Sequence, residues 1–143
     1  MRRYLVVAHR TLGGRHLLEH LEELRAQGPC RFHLLVPEEH PSDHVWSEAE
    51  VRAAAHRRLQ EGLDRLHDIG IIADGEVGDA NPVYAIGVVL RREGPEAFTG
   101  LVLSTLPVGI SRWVKLDVPS RVRKEYPYLP MVHLVAEHEP ARP

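Results

Sequence analysis

Cysteine is almost missing: Cys30 stands alone among 143 residues. That excludes an intramolecular disulfide and any zinc cluster built from several thiolates of one chain. There is no excess of one charge either, since 18 basic residues face 20 acidic ones. A nearly neutral chain with scattered arginines lacks the electrostatic footprint of a nucleic-acid binder, so no nucleic-acid partner is expected. Long apolar runs are missing as well. The first one, Tyr4 to Ala8, is too short for a secretory leader or a membrane-spanning helix. These absences lead us to expect a cytoplasmic protein with no membrane partner. The chain also has no internal repeat, no linker composition, no G-x-G-x-x-G and no lysine-bearing Walker loop. One domain over residues 1–137 with a frayed tail at 138–143 is the expected organisation.

What is present is an alternation of short apolar runs and amphipathic segments. Tyr4-Leu-Val-Val-Ala8 has the β-branched, continuous apolar character of a strand buried on both faces. Gly13-Gly14 then punctuates the chain, and Leu17, Leu21 and Leu24 recur at helical spacing until Gly28-Pro29. A second strand is predicted over Phe32–Val36. Ser47-Glu-Ala-Glu50 has capping-box form and should start a long helix with Val51, Ala55, Leu59, Leu63 and Leu66 as its buried stripe. Ile71–Ala73 is the third strand signal. Asn81 and Pro82 open a third helix that Gly94-Pro95 ends. Leu101–Ser104 is the fourth strand signal, and one or two short helical pieces divided near Asp117 and Pro119 follow. Met131–Val135 is the fifth strand. The fold class predicted is α/β: an open, doubly wound, parallel five-stranded sheet with helices on both faces. Such sheets bind ligands beyond the carboxyl ends of their strands, where the strand order reverses.

The order of segments resembles the universal stress protein family. The pieces that carry the resemblance are Glu76-Val-Gly-Asp79 followed by Pro82 and Ala85-Ile86, and the run Leu101 to Val122. The resemblance implies an adenine nucleotide α-hydrolase-like sheet with the first strand central, and ATP or AMP as the ligand class. It also implies a homodimer formed through the last strand. In nucleotide-binding members a phosphate loop follows strand four: glycine, two residues, glycine, nine residues, then glycine with Ser or Thr. Those positions fall on Ser104, Pro107, Asp117 and Val118, and each departs from the pattern. Pro107 lacks an amide donor, Asp117 brings a carboxylate, and Val118 has no hydroxyl. His9 stands where members carry an acidic residue. The motif is degenerate, and a conventional ATP binder is not expected.

Polar groups at the same edge remain candidates for a small ligand: His9, Arg10, Thr11 and Gly13 after strand one, and Val36 at the end of strand two. To these are added Gly78 and Asp79 before helix three, and Ser104, Thr105, Ser111 and Arg112 after strand four. The function expected is a universal-stress-protein-like small-ligand-binding or regulatory module with no assigned catalytic residue. One alternative is an enzyme of nucleotide or phosphate chemistry with His9 as acid or base and Arg10 or Arg112 against the anion. Another is a structural dimerisation or partner domain using Trp113 and the last strand. His16-Leu-Leu-Glu-His20 matches an H-x-x-E-H string with its histidines one helical turn apart. No third ligand accompanies it, and surface histidines with no metal assigned are the reading. His40 and His44 are read as solvated loop residues, and Trp46 and Trp113 as completing the core edge or a subunit contact.

Overall fold

The computed structural model describes residues 1–8, 11–40, 45–106 and 112–136 of the chain. Its elements run β1 (Arg2–Val7), α1 (Arg15–Ala26), β2 (Cys30–Pro37), α2 (Glu48–Asp68), β3 (Ala73–Gly78), α3 (Pro82–Glu93), β4 (Gly100–Thr105), α4 (Arg112–Lys115), α5 (Val118–Glu125) and β5 (Met131–Val135). The strands form one sheet in the order β3-β2-β1-β4-β5, with every neighbouring pair parallel. The first strand is central. Leu5, Val6 and Val7 have no exposed surface, as a strand covered on both faces requires.

Alternate residues of each strand feed two cores. On one face Val6, Phe32, Leu34 and Val102 pack with Leu17 and Leu21 of α1 and Ala55, Leu59 and Leu66 of α2. On the other, Leu5, Val7, Leu35, Leu101 and Leu103 pack with Ile86 and Val89 of α3, Trp113 of α4 and Val118 and Val122 of α5. The winding is therefore double. It changes face between α2 and α3, and this puts the reversal of strand order at the carboxyl ends of β1 and β4.

The helix ends follow the sequence closely. Ser47 accepts from the Glu50 amide, and Glu50 reaches back to the Ser47 amide, closing the capping box of α2. Asn81 caps α3 by accepting from Val83 and Tyr84, with Pro82 at the first turn.

The third strand differs from expectation. The apolar signal at Ile71–Ala73 marks the approach to the strand, and β3 begins where that signal ends. Ile71 is a buried plug whose amide bonds Leu66, and Ile72 is exposed while its carbonyl accepts from Phe32. The strand itself, Ala-Asp-Gly-Glu-Val-Gly, is polar because one of its faces carries Asp74 and Glu76. Within the predicted stripe of α2, Leu63 is only half-buried, whereas Gly62 is buried and its bare Cα makes room for the Leu12 side chain.

Gly75 is constrained by its surroundings on both sides. A Cβ there would meet Leu59 Cδ1 at 2.7 Å and the Leu34 carbonyl oxygen at 2.8 Å. Because one obstacle is backbone, Gly75→Ala is expected to cost about 1–3 kcal/mol. Urea unfolding should show this as a lower midpoint with an unchanged slope.

Candidate ligand site at the carboxyl edge of the sheet

The crevice at the reversal point is bounded by the segment after β1 and the end of β4. Thr11 and Ser104 meet across it, with their hydroxyl oxygens 2.6 Å apart, and Thr11 Oγ1 also approaches the Ser104 carbonyl at 3.3 Å. Both residues are buried, Thr11 at 6% exposure and Ser104 at 3%. Two buried hydroxyls that bond each other satisfy their own polarity and tie the first loop to the fourth strand.

Thr105, next along β4, faces the opposite side of the sheet. Its hydroxyl lies 2.8 Å from His133 Nε2 on β5. His133 is held below the usual histidine range, first by burial and then by the positive charge of Arg123. A neutral ring there can accept the Thr105 proton. Thr105 is 2% exposed, so its hydroxyl joins β4 to β5.

Gly14 is the N-cap of α1, and no side chain caps it; the first turn of the helix carries no acidic residue. The Gly14 amide bonds the Thr11 carbonyl at 2.9 Å, closing the turn into the helix. Gly13 is half-buried, and its carbonyl accepts a hydrogen bond from the Arg65 guanidinium of α2. Arg65 thereby stands over the glycine turn, where a Cβ on Gly13 would meet its Nη1 at 3.1 Å. Sequence reasoning did not identify this cation. Fifty-two positions separate the two residues, and helical periodicity marks Arg65 only as polar.

The other candidates are spread along the same edge. Val36 is fully buried in the α1/α2-side core, and its side chain lines no crevice. Gly78 gives its carbonyl to the Glu38 amide at 2.9 Å, and its missing Cβ lets Leu35 and Ala85 close over it. Asp79 is exposed, and its Oδ1 accepts from the Asn81 amide at 2.9 Å, which turns the chain into α3. His9, Arg10, Pro107 and Ser111 lie outside the described residues, as does His44. Arg112 is the first residue of α4. Asp117 has φ 58° and ψ 35°, and it is the described non-glycine residue with positive φ. This left-handed backbone, which glycine adopts freely, carries a carboxylate side chain here.

In the H-x-x-E-H string, His20 is not the surface histidine expected but is partly buried. His20 Nε2 is buried without a hydrogen-bond partner, while its Nδ1 lies 3.9 Å from Glu23. Burial, reinforced by the nearby His16, pushes its pKa down against the pull of Glu23. Among the described residues no group of three or more His, Cys, Asp or Glu side chains could hold a metal ion. Cys30 is buried, and burial pushes its thiol up, away from the reactive thiolate. Among the described residues no helix is long and apolar enough to cross a membrane.

Most of the chain superposes on solved structures of the same architecture. A universal stress protein family protein from Arabidopsis thaliana with AMP bound superposes with a TM-score of 0.64 at 14% identity, covering 96% of this chain and 93% of that one. The fold is that of the universal stress proteins. A universal stress protein family structure from Burkholderia pseudomallei gives a TM-score of 0.61 at 14% identity, covering 92% and 94% of the two chains. A universal stress protein in complex with cAMP gives 0.59 at 13% identity, covering 95% and 98%. No family sequence model matches the chain, and no curated protein matches it in sequence.

Because the Thr11–Ser104 contact ties the first loop to the fourth strand, the two hydroxyls are coupled. Thr11→Val and Ser104→Ala should each lower stability by about 1 kcal/mol or more, and the double variant by less than the sum, with a coupling near 1 kcal/mol. Denaturant unfolding of the four proteins checks this, and strict additivity would show that the hydroxyls act independently.

Proposed function

We propose that this protein is a universal-stress-protein-like ligand-binding or regulatory module that takes a small anionic or nucleotide-like molecule at the carboxyl edge of its sheet and is not a conventional ATP binder. The observation that carries this reading is the crevice at the strand-order reversal. A glycine turn and a helix start without a side-chain cap stand beside it, with the Arg65 guanidinium over the turn. Backbone amides at a helix start favour negative charge, and an adjacent guanidinium can pair with it. Two structural neighbours of the same fold carry AMP and cAMP, which supports a monophosphate-sized ligand. Against a triphosphate stand the replacements at Ser104, Pro107, Asp117 and Val118. The hydroxyls of Ser104 and Thr105 are already engaged with Thr11 and His133.

Thermal shift with AMP, cAMP and Mg-ATP at millimolar concentration tests the reading. A ligand at one hundred times its dissociation constant adds about 2.7 kcal/mol, which for a domain of this size raises Tm by roughly 5–10 °C. The expected order is a shift with AMP or cAMP that exceeds the shift with Mg-ATP. A larger shift with Mg-ATP would overturn the exclusion of ATP. No shift with any of the three would remove adenine nucleotides as ligands.

We further propose self-association through β5, an outer strand paired only with β4 among the described elements. Val132 and Val135 are 43% and 38% exposed there, with Tyr128 at 53% just before the strand. An outer strand with unpaired backbone groups and exposed valines is suited to pairing with a second copy. Val132→Lys should shift sedimentation toward monomer while changing monomer stability by no more than about 0.5 kcal/mol. An unchanged sedimentation profile would remove β5 as the interface.

A further inference from the structure

His33 lies near the middle of β2 on the α3-side face, 6% exposed. Both of its ring nitrogens meet carboxylates of β3: Nδ1 is 2.7 Å from Asp74 Oδ1 and Nε2 is 2.6 Å from Glu76 Oε2. Neutral imidazole carries one N–H, so it can donate to only one of these partners and would turn a lone pair toward the other. With both carboxylates ionised, the ring that satisfies both contacts is the imidazolium.

The surroundings extend this arrangement into a chain of charges. Glu76 receives both terminal nitrogens of Arg92, near the end of α3, with Nη1 2.9 Å from Oε1. Arg92 also contacts Glu93, which pairs with Arg3 of β1 at 2.8 Å. The Arg3 guanidinium lies 4.7 Å from the Phe98 ring centre, and that ring is 6.2 Å from His33. On β1 the register partner of His33 is the apolar Leu5. On its own strand, Arg31 shares the face and is exposed.

We propose that His33 is a proton-dependent clasp. As imidazolium it fastens the outer strand β3 to β2 and, through Glu76 and Arg92, to the end of α3; when the ring gives up its second proton, that edge opens. Asp74 is 69% exposed and Glu76 27%, so the inner contact to Glu76 carries more of the clasp than the solvated one. The two limits have opposite sign. A cation stabilised by partners contributes while it is protonated and stops contributing as pH rises. Glu76 is held below the usual carboxylate range, first by its hydrogen bonds from Arg92 and also by His33. Its contribution is present above that range and is lost as pH falls through its lowered value.

The test uses the isotope-labelled full chain without ligand, so it is independent of the proposed binding function. Long-range imidazole nitrogen correlations should show both His33 nitrogens protonated at about pH 7. Amide exchange protection in β3, taken relative to β1 of the same molecule, should fall by about tenfold or more as the ring deprotonates at higher pH. In His33→Gln the protection ratio should be lower and flat with pH. Should that variant not fold, the wild-type ring pattern and protection ratio decide alone. A neutral-ring pattern at about pH 7, or a β3 to β1 ratio that stays constant across the titration, overturns the proposal.

Discussion

Everything in this fold depends on β1 being paired on both sides. Its register runs Arg2 against Cys30 through Val7 against Leu35 on one side, and Tyr4 against Gly100 through Val7 against Leu103 on the other. Parallel neighbours cannot be joined by tight turns, so each pairing requires a crossover helix. With β2 and β4 both beside the first strand, the chain has to leave β1 in one direction and return past it in the other. That requirement sends α1 and α2 to one face and α3, α4 and α5 to the other. It also opens the crevice between the carboxyl ends of β1 and β4. The position of that edge is thus a consequence of topology before any polar residue is placed there.

The polar residues then decide what sort of crevice it is. Ser104 uses its hydroxyl to bind Thr11 across the gap and so cross-links the first loop to the fourth strand. Asp117 has a left-handed backbone, which glycine adopts freely, and places a carboxylate there.

Much of the fold was legible because the physical causes are local. The Ser47–Glu50 box, the Asn81-Pro82 start and the apolar runs of β1, β4 and β5 each involve residues a few positions apart. Failures came where a partner distant in sequence sets the environment. The carboxylates of the polar strand β3 meet His33, forty-one positions before Asp74, and no alternation of apolar residues reveals this contact. Arg65 over Gly13 and the Thr11–Ser104 pair are of the same kind. At the candidate site, the residue types and the edge they occupy were readable in the sequence, but which hydroxyls are already bonded to one another was not.

The two outer strands of the sheet are managed in opposite ways. β3 carries two acidic side chains and two glycines over six residues, and its carboxylates, Asp74 exposed and Glu76 half-buried, meet a histidine from the neighbouring strand and, at Glu76, an arginine from α3. Charge directed along a strand discourages a second strand from pairing there, because the incoming backbone would have to desolvate it. Gly75 and Gly78 add close packing that leaves little freedom to shift register. β5 has no such chain of charges among its described contacts; its one internal polar tie is His133 to Thr105, directed inward to β4. Its outward valines are partly exposed. The two edges of the sheet therefore differ in kind: the β3 edge is acidic and held by ion pairs to β2 and α3, and the β5 edge is more apolar.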